Sequence, residues 1–461
     1  MKNSNILKSL VVALALTACN SQLDIQPASS VDASLALKTS KDVKGTLIGA
    51  YANMGAANLY GGGVYVYADL LGSTGADINF FGTFQELTQI SNKQIPINNA
   101  FVAGVWLNAY TTINNANEVL AALSVVNSVE RDQVEGEAKF IRGSMYFELI
   151  KLYAKAWNDG NPNTNPGVPI ILTPTHSLDD ANAAPSRNSV KQVYDQIISD
   201  LTAAEAKLPP PDNETYYYAT TGAAAAQLAR VYLAQGAYDL ARDAANRVIG
   251  SGYYRLETNY SDEFPYIGRA VRIYNKPEDI FALQVSEQQG TNNMNTYYAQ
   301  SNLGGRGDIE IASDFLNTFP GGDSRLGLFT DDGSGSLFYS DKFDNLYGNV
   351  KILRLAEMYL IRAEGNLKMG TTVGNAPLND INIVRDRAGV APLSSVAIQD
   401  IMAERRWELA FEGQWLFDYK RSATDIPTAP TATPWNSPTL IFPIPQRERI
   451  VNPNLSQNDG Y

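Results

Sequence analysis

Apolar residues recur at three- and four-residue steps through much of this chain, and that period limits its possible folds more than any other feature. Trp106, Tyr110, Ile113, Ala116, Leu120 and Leu123 draw one stripe. Ala138, Ile141, Met145, Leu149 and Leu152 draw a second, and Val190, Val193, Ile197, Leu201, Ala204 and Leu208 a third. A stripe of this period is the buried face of an α-helix. Ser189 followed by Gln192 supplies a capping box for the third helix, and Pro209-Pro210-Pro211 stops it. Further helices are expected over about 352–369, 376–388 (closed by Gly389) and 396–413. Val168–Leu172 reads as a short extended piece. Residues 253–350 break the helical pattern with Gly, Asn, Asp and Tyr and read as a loop-rich insertion. Within it, Ile280–Val285 looks β-like.

Leu228, Tyr232, Gly236, Tyr238, Ala241, Ala245 and Val248 have the spacing of a tetratricopeptide unit. Ala229, Ala241 and Ala245 would let two antiparallel helices approach closely, and Gly236 would permit the turn. A weaker copy starts at Leu355–Ala363 and finds its second helix near Leu378–Arg387. Such pairs cannot bury their faces alone, so several must stack. The expected fold is mainly all-α: a superhelix of tetratricopeptide-type helix pairs, plus a loop-rich second layer with a few short strands.

The 461 residues include one Cys, one His, 36 Lys+Arg and 48 Asp+Glu, for a net charge of −12. One cysteine excludes an intramolecular disulfide and a Cys-based zinc site. The acidic balance, without clustered Lys or Arg, argues against nucleic acid. Lys2 and Lys8 flank the start of an apolar run over 9–16 that is too short to span a bilayer. It ends in Leu16-Thr17-Ala18-Cys19, which resembles the lipobox of bacterial lipoproteins. In that resemblance residues 1–18 are a signal peptide, and Cys19 carries lipid on its thiol and its new amino group. Several acyl chains anchor stably where one would not. Residues 19–461 are then expected to form a single domain tethered to the membrane.

Catalytic signatures are missing from the sequence. It contains no G-x-S-x-G, H-E-x-x-H, G-x-x-x-x-G-K-[ST] or complete EF-hand loop. Glu404, Glu408 and Glu412 are four apart but interleaved with Arg405 and Arg406, so they read as salt-bridge partners. Asp331–Ser336 reads as a turn, His176 as a surface histidine, and Arg306-Gly307-Asp308 as a chance triplet. No catalytic residue, metal ligand or cofactor is expected. A glycosidase-type carboxylate pair is the remaining catalytic alternative.

Longer segments carry a resemblance. Leu23–Pro27 follows Cys19. Then come Tyr110-Thr111-Thr112-Ile113-Asn114-Asn115-Ala116-Asn117, Glu137–Gly143 with Tyr146-Phe147, and Gly167-Val168-Pro169. Arg354–Glu364, Arg385–Gly389, Glu404–Gly413, Asp418–Arg421 and Phe442-Pro443-Ile444-Pro445 follow, and Gln457–Tyr461 closes the chain. In this order they resemble the SusD/RagB family of outer-membrane nutrient-binding lipoproteins. The resemblance implies a surface-exposed protein on the outer membrane, without catalysis. It further implies a SusC-like TonB-dependent transporter as partner, to which captured oligosaccharide is delivered. An oligopeptide ligand, as for a RagB-like uptake subunit, is the alternative.

The resemblance implies ligand contacts from two loop regions but supplies no invariant residue, so the residues are chosen by composition. Sugar rings stack on aromatics while amides fix hydroxyls. The first cluster is Tyr60, Tyr65, Tyr67, Asn79, Phe80, Phe81 and Phe84, of which those from Tyr65 onward are taken as ligand residues. The second is Gln288, Gln289, Asn292, Asn293, Asn295, Tyr297, Tyr298 and Gln300, of which Asn292, Asn293, Tyr297 and Tyr298 are taken as ligand residues. The two are expected to meet across one exposed surface.

Overall fold

Thr39 opens the first helix with a reciprocal capping box to Asp42. The computed structural model describes residues 37–176, 180, 183–212, 217–288, 292–335, 337–428 and 431–461. Cys19, the signal peptide and Gln289 therefore lie outside the described residues. In chain order α1 (Ser40–Met54), α2 (Gly63–Gly72), β1 (Ile78–Phe80), α3 (Gln85–Ser91), α4 (Ala100–Ala121) and α5 (Arg131–Tyr153) come first. They are followed by α6 (Val190–Lys207), α7 (Thr221–Gln235) and α8 (Tyr238–Gly250). The second layer holds β2 (Asp279–Leu283), α9 (Asn293–Tyr298), β3 (Ile309–Ile311), β4 (Phe329–Asp331), β5 (Phe338–Ser340) and β6 (Val350–Arg354). Helices return as α10 (Leu355–Met369), α11 (Pro377–Arg387), α12 (Ile398–Glu408) and α13 (Trp415–Ser422).

Successive helices pack on one another: α1 on α4, α4 on α5, α5 on α6, α6 on α7, α7 on α8, α8 on α10 and α10 on α11. This is the expected mainly α-helical architecture. The Ser189–Gln192 capping box starts α6. Gly236 closes α7 at φ +72°, a conformation that costs glycine nothing, and its missing side chain faces open space. Close approach comes instead from Ala241, Ala244 and Ala245, all fully buried on α8. It comes also from Gly365 of α10, where a Cβ would sit 2.6 Å from the Tyr238 carbonyl.

Two antiparallel sheets organise the second layer. β1, β3, β5 and β4 lie side by side in that order, with Asn79 opposite Glu310 and Phe80 opposite Ile309. β2 pairs with β6, and the ladder is irregular between Asp279 and Ala282. β6 corrects the expected helix start near 352: the backbone of Val350–Arg354 bonds across to β2, and α10 begins only at Leu355. The helix expected to reach 413 ends at Glu408, because the chain turns through positive φ at Phe411 and Gly413. Val168–Leu172 joins no named strand. Its neighbour Gly167 donates to the Asn188 carbonyl, and the Tyr146 hydroxyl bonds both the N–H and the carbonyl of Ile171.

Candidate ligand-binding site

β1 and β3 bring the two sequence clusters together. Past β1 the Phe81 N–H donates to the Asp308 carbonyl at 2.8 Å, so the 81–84 loop folds over the start of β3. Gly82 makes that crossing possible, since a Cβ there would lie 2.7 Å from Asp308 Cγ. From the other side, Asn293 at the start of α9 donates its N–H to the Gly61 carbonyl at 2.7 Å. Its side-chain amide donates to the Ala57 carbonyl at 2.9 Å. Phe84 and Tyr297 meet edge to face with centroids 6.3 Å apart. The two regions share one neighbourhood.

Within that neighbourhood the roles divide by burial. Phe81 is 69% exposed and Phe84 37% exposed, while Asn79 and Phe80 are half-buried. Arg306 lies over the Phe84 ring, 4.7 Å from its centroid. The guanidinium is fixed by Asp308 at 2.7 Å and by the Thr83 hydroxyl at 3.0 Å. An exposed ring beside an oriented guanidinium–carboxylate pair offers a stacking face and charged hydrogen-bonding groups to a polyhydroxylated ligand.

Six of the expected ligand residues are buried. Tyr65 and Tyr67 belong to a wholly buried α2. Tyr65 stacks on Tyr60, and the Tyr67 hydroxyl donates to Asn58 at 2.7 Å. Tyr298 is fully buried and donates to Asp69 at 2.9 Å. Burial pushes the Asp69 carboxyl up to about 8, opposed by donors from Tyr298 and the Gly413 N–H. Tyr297 is 5% exposed behind Phe84. Asn292 spends its amide on the carbonyls of Asn345 and Gly348 and caps Asn295, and Asn293 ties α9 to residues 57–61. These are bonds that hold the loop layer to the scaffold, so the expectation that these six project toward a ligand is corrected. Composition could not separate a wedge tyrosine from a surface one.

Arg306 and Asp308 read as part of a chance triplet in the sequence, yet in the structure they form the ion pair of this neighbourhood. The signal that could have found them is the pair of short β-like pieces on either side, which fold the two loops together. Elsewhere the acidic triplet behaves as read. Glu404 takes Arg325 and Arg385, Glu408 takes Arg325, Arg354 and Arg387, and Glu412 takes Arg354 and Lys342. His176 sits at the surface, 2.9 Å from Glu118. Among the described residues, no helix is long and apolar enough to cross a membrane.

Stacked helix pairs under a loop-rich layer define the architecture of a SusD-type protein, and comparison with known proteins agrees. Residues 23–233 match the family model described as starch-binding associating with outer membrane, and residues 329–437 match the SusD family model. The chain belongs to the SusD/RagB family. It is 24% identical to the SusD-like protein P2 of Formosa agariphila, over 98% of each chain. It superposes on a SusD-like carbohydrate binding protein from Bacteroides vulgatus with a TM-score of 0.77. That match has 20% identity and covers 90% of this chain and 97% of the other. It also superposes on surface glycan-binding protein A from Bacteroides uniformis with a TM-score of 0.74. There the identity is 20%, covering 91% of this chain and 99% of the other. At these identities the structural likenesses establish the fold.

Proposed function

We propose that this chain is a surface lipoprotein of the outer membrane that captures oligosaccharide and delivers it to a SusC-like TonB-dependent transporter, with no turnover of its own. In this reading residues 1–18 are removed, Cys19 carries the lipid, and residues 19–461 act as one ligand-binding domain facing the cell exterior. The observation that carries the reading is Phe81, an exposed ring on the loop layer beside the fixed Arg306–Asp308 pair. Family membership and relatives described as carbohydrate- or glycan-binding support the ligand class.

The test is binding to a panel of soluble oligosaccharides and of oligopeptides by calorimetry, with product analysis on the same mixtures. Oligosaccharide binding with unchanged ligand supports the reading. Binding of peptides alone, or accumulation of hydrolysis products, overturns it. Fractionation of Cys19→Ala tests the anchor separately: the variant should leave the outer-membrane fraction.

A further inference from the structure

The four-stranded sheet has an outer face that runs on from Phe81. Pairing sets Asn79 of β1 opposite Glu310 of β3, and Thr330 of β4 opposite Tyr339 of β5. Ile311 faces Phe338 in the antiparallel β3–β5 ladder, which puts Glu310 beside Tyr339. Asn79, Glu310, Tyr339 and Thr330 therefore form one row across a single face of the sheet. Side chains alternate along each strand, so the other face carries Ile78, Phe80, Ile309, Ile311, Phe329 and Phe338 and packs on the core. Phe81 continues the β1–β3 ladder through its bond to the Asp308 carbonyl, so both residues belong to the outer face. The Tyr339 ring reaches back to Gly307, 3.3 Å from where a Cβ would stand. Phe81 and Tyr339 thus flank β3 from its two neighbouring strands.

The charges on this face do not cancel. Asp308 neutralises Arg306 at 2.7 Å. Among the described residues, Glu310, Asp332 and Asp341 have no Lys or Arg within salt-bridge distance, and the adjacent Lys342 is committed to Glu412. Glu310 is 4% exposed, and its Oε1 has no hydrogen-bond partner among the described residues. Asp341 accepts from the Thr330 hydroxyl at 2.5 Å and Asp332 from the Ser334 N–H at 2.8 Å, bonds that leave both carboxylates without a cation. Burial raises the Glu310 carboxyl and the charge of Asp332 raises it further. Burial and the same two carboxylates also raise the Tyr339 hydroxyl. Glu310, Asp332 and Tyr339 therefore lie within electrostatic reach of one another.

A field of one sign acts on a ligand without touching it. Neighbouring strands lie about 4.8 Å apart and the Debye length is about 8 Å at physiological salt, so a chain resting between Phe81 and Tyr339 feels these carboxylates. Sugar hydroxyls meet such a face at no charge penalty, and an ammonium group is drawn to it. A uronate or sulfate group is repelled by each unbalanced carboxylate. Three of them at these distances weaken an anionic ligand by about tenfold or more. The lone guanidinium of the face, Arg306, cannot reverse the sign while Asp308 holds it.

We propose that this face selects its ligand by charge: it takes neutral or amino-bearing oligosaccharides and turns away those that carry uronate or sulfate groups. The inference rests on the glycan reading of the same site. The full chain, fluorescently labelled, is tested at neutral pH on an array of neutral, amino-bearing, uronate and sulfated oligosaccharides. Hits confined to the neutral and amino-bearing members are expected. In calorimetry the sulfated derivative of a hit should bind about tenfold more weakly or worse, and high salt should narrow that gap. Asp332→Asn, at an exposed position, should narrow it by about twofold or more, and Asp332→Asn combined with Glu310→Gln should narrow it further. Melting curves establish that the variants are folded, and the exposed single variant decides the matter if the double one is not. Hits among the uronate or sulfated members overturn the proposal, as does a gap that neither salt nor Asp332→Asn changes. Binding to no oligosaccharide at all is a different failure: it overturns the glycan reading, and this inference falls with it.

Discussion

Arg306 covers the ring of Phe84, its guanidinium carbon 4.7 Å from the centroid. That contact takes one face of Phe84 out of use, while Phe101 and Tyr297 pack against the same ring at centroid distances of 5.7 and 6.3 Å. Phe81, three residues earlier, has no such cover among the described residues and is 69% exposed. Two neighbouring phenylalanines therefore do different work: Phe84 anchors the loop, and Phe81 presents a face to solvent.

Phe81→Ala should weaken oligosaccharide binding severalfold with almost no change in melting temperature. One well-placed ring stack is worth about 0.5–1.5 kcal/mol, which corresponds to that range of affinity. With so few stacking rings, wild-type affinity should fall between micromolar and millimolar, weak enough to release ligand to a transporter. Phe84→Ala should lower both binding and stability. Calorimetry and thermal melting on both variants check this, and equal binding by Phe81→Ala and wild type would remove Phe81 from the site.

Much of the scaffold was legible because its signals are local. The Ser189–Gln192 box, the alanines of α8 and the turn at Gly236 act within a few residues of themselves. The site was legible only in outline. Tyr65, Tyr67 and Tyr298 have the same composition as surface tyrosines. Their burial is set by partners as distant in sequence as Asp69 is from Tyr298. Likewise β6 was hidden because its ladder partner β2 lies some seventy residues earlier, and the helical stripe of α10 runs on from it without a break.

Gly236→Val should destabilise the protein through its backbone. The missing side chain has open space, so bulk is harmless there, but φ +72° is strongly unfavourable for a β-branched residue. Ala241→Phe should destabilise through overpacking, by about 1–3 kcal/mol or more, since Ala241 is fully buried between helices. Asn is tolerated in the left-handed region, so Gly236→Asn should recover most of the loss. Denaturant melts of the three variants separate the two causes.

Glu408→Gln should be among the most damaging single changes. Its carboxylate accepts from Arg325 at 3.3 Å and Arg354 at 3.1 Å, and it also pairs with Arg387. Removing the charge leaves three buried guanidinium groups short of a partner, at a cost of about 3–5 kcal/mol. A large fall in urea midpoint is expected; an unchanged midpoint would mean that Glu404, Glu278 and Glu412 can satisfy the arginines without it.

Two buried carboxyls should shape the pH dependence of stability in opposite directions. Burial alone would raise Glu412, but Arg354 and Lys342 hold it down to about 2, below its ordinary 4.5. Its contribution is complete above pH 4.5 and is lost as pH falls toward 2, because the unfolded chain takes up the proton first. Asp69 is raised by burial from 3.8 to about 8. The folded state then holds a proton that the unfolded state has released, so stability falls as pH rises from 3.8 to 8 and levels off above. Glu137, raised by burial to about 7, adds a decline of the same sign between 4.5 and 7. The melting temperature should therefore peak on the acid side of neutrality. Asp69→Asn can accept from the Gly413 N–H through its oxygen and donate to the Tyr298 hydroxyl through its amide nitrogen. It carries no charge, so it should flatten the decline between pH 5 and 8 and leave the acid limb intact. Melting curves of wild type and Asp69→Asn at pH 3, 5, 7 and 9 decide it. Parallel curves for the two proteins would show that Asp69 is ionised in the folded chain at neutral pH, with Tyr298 and the Gly413 N–H sufficient to hold the charge.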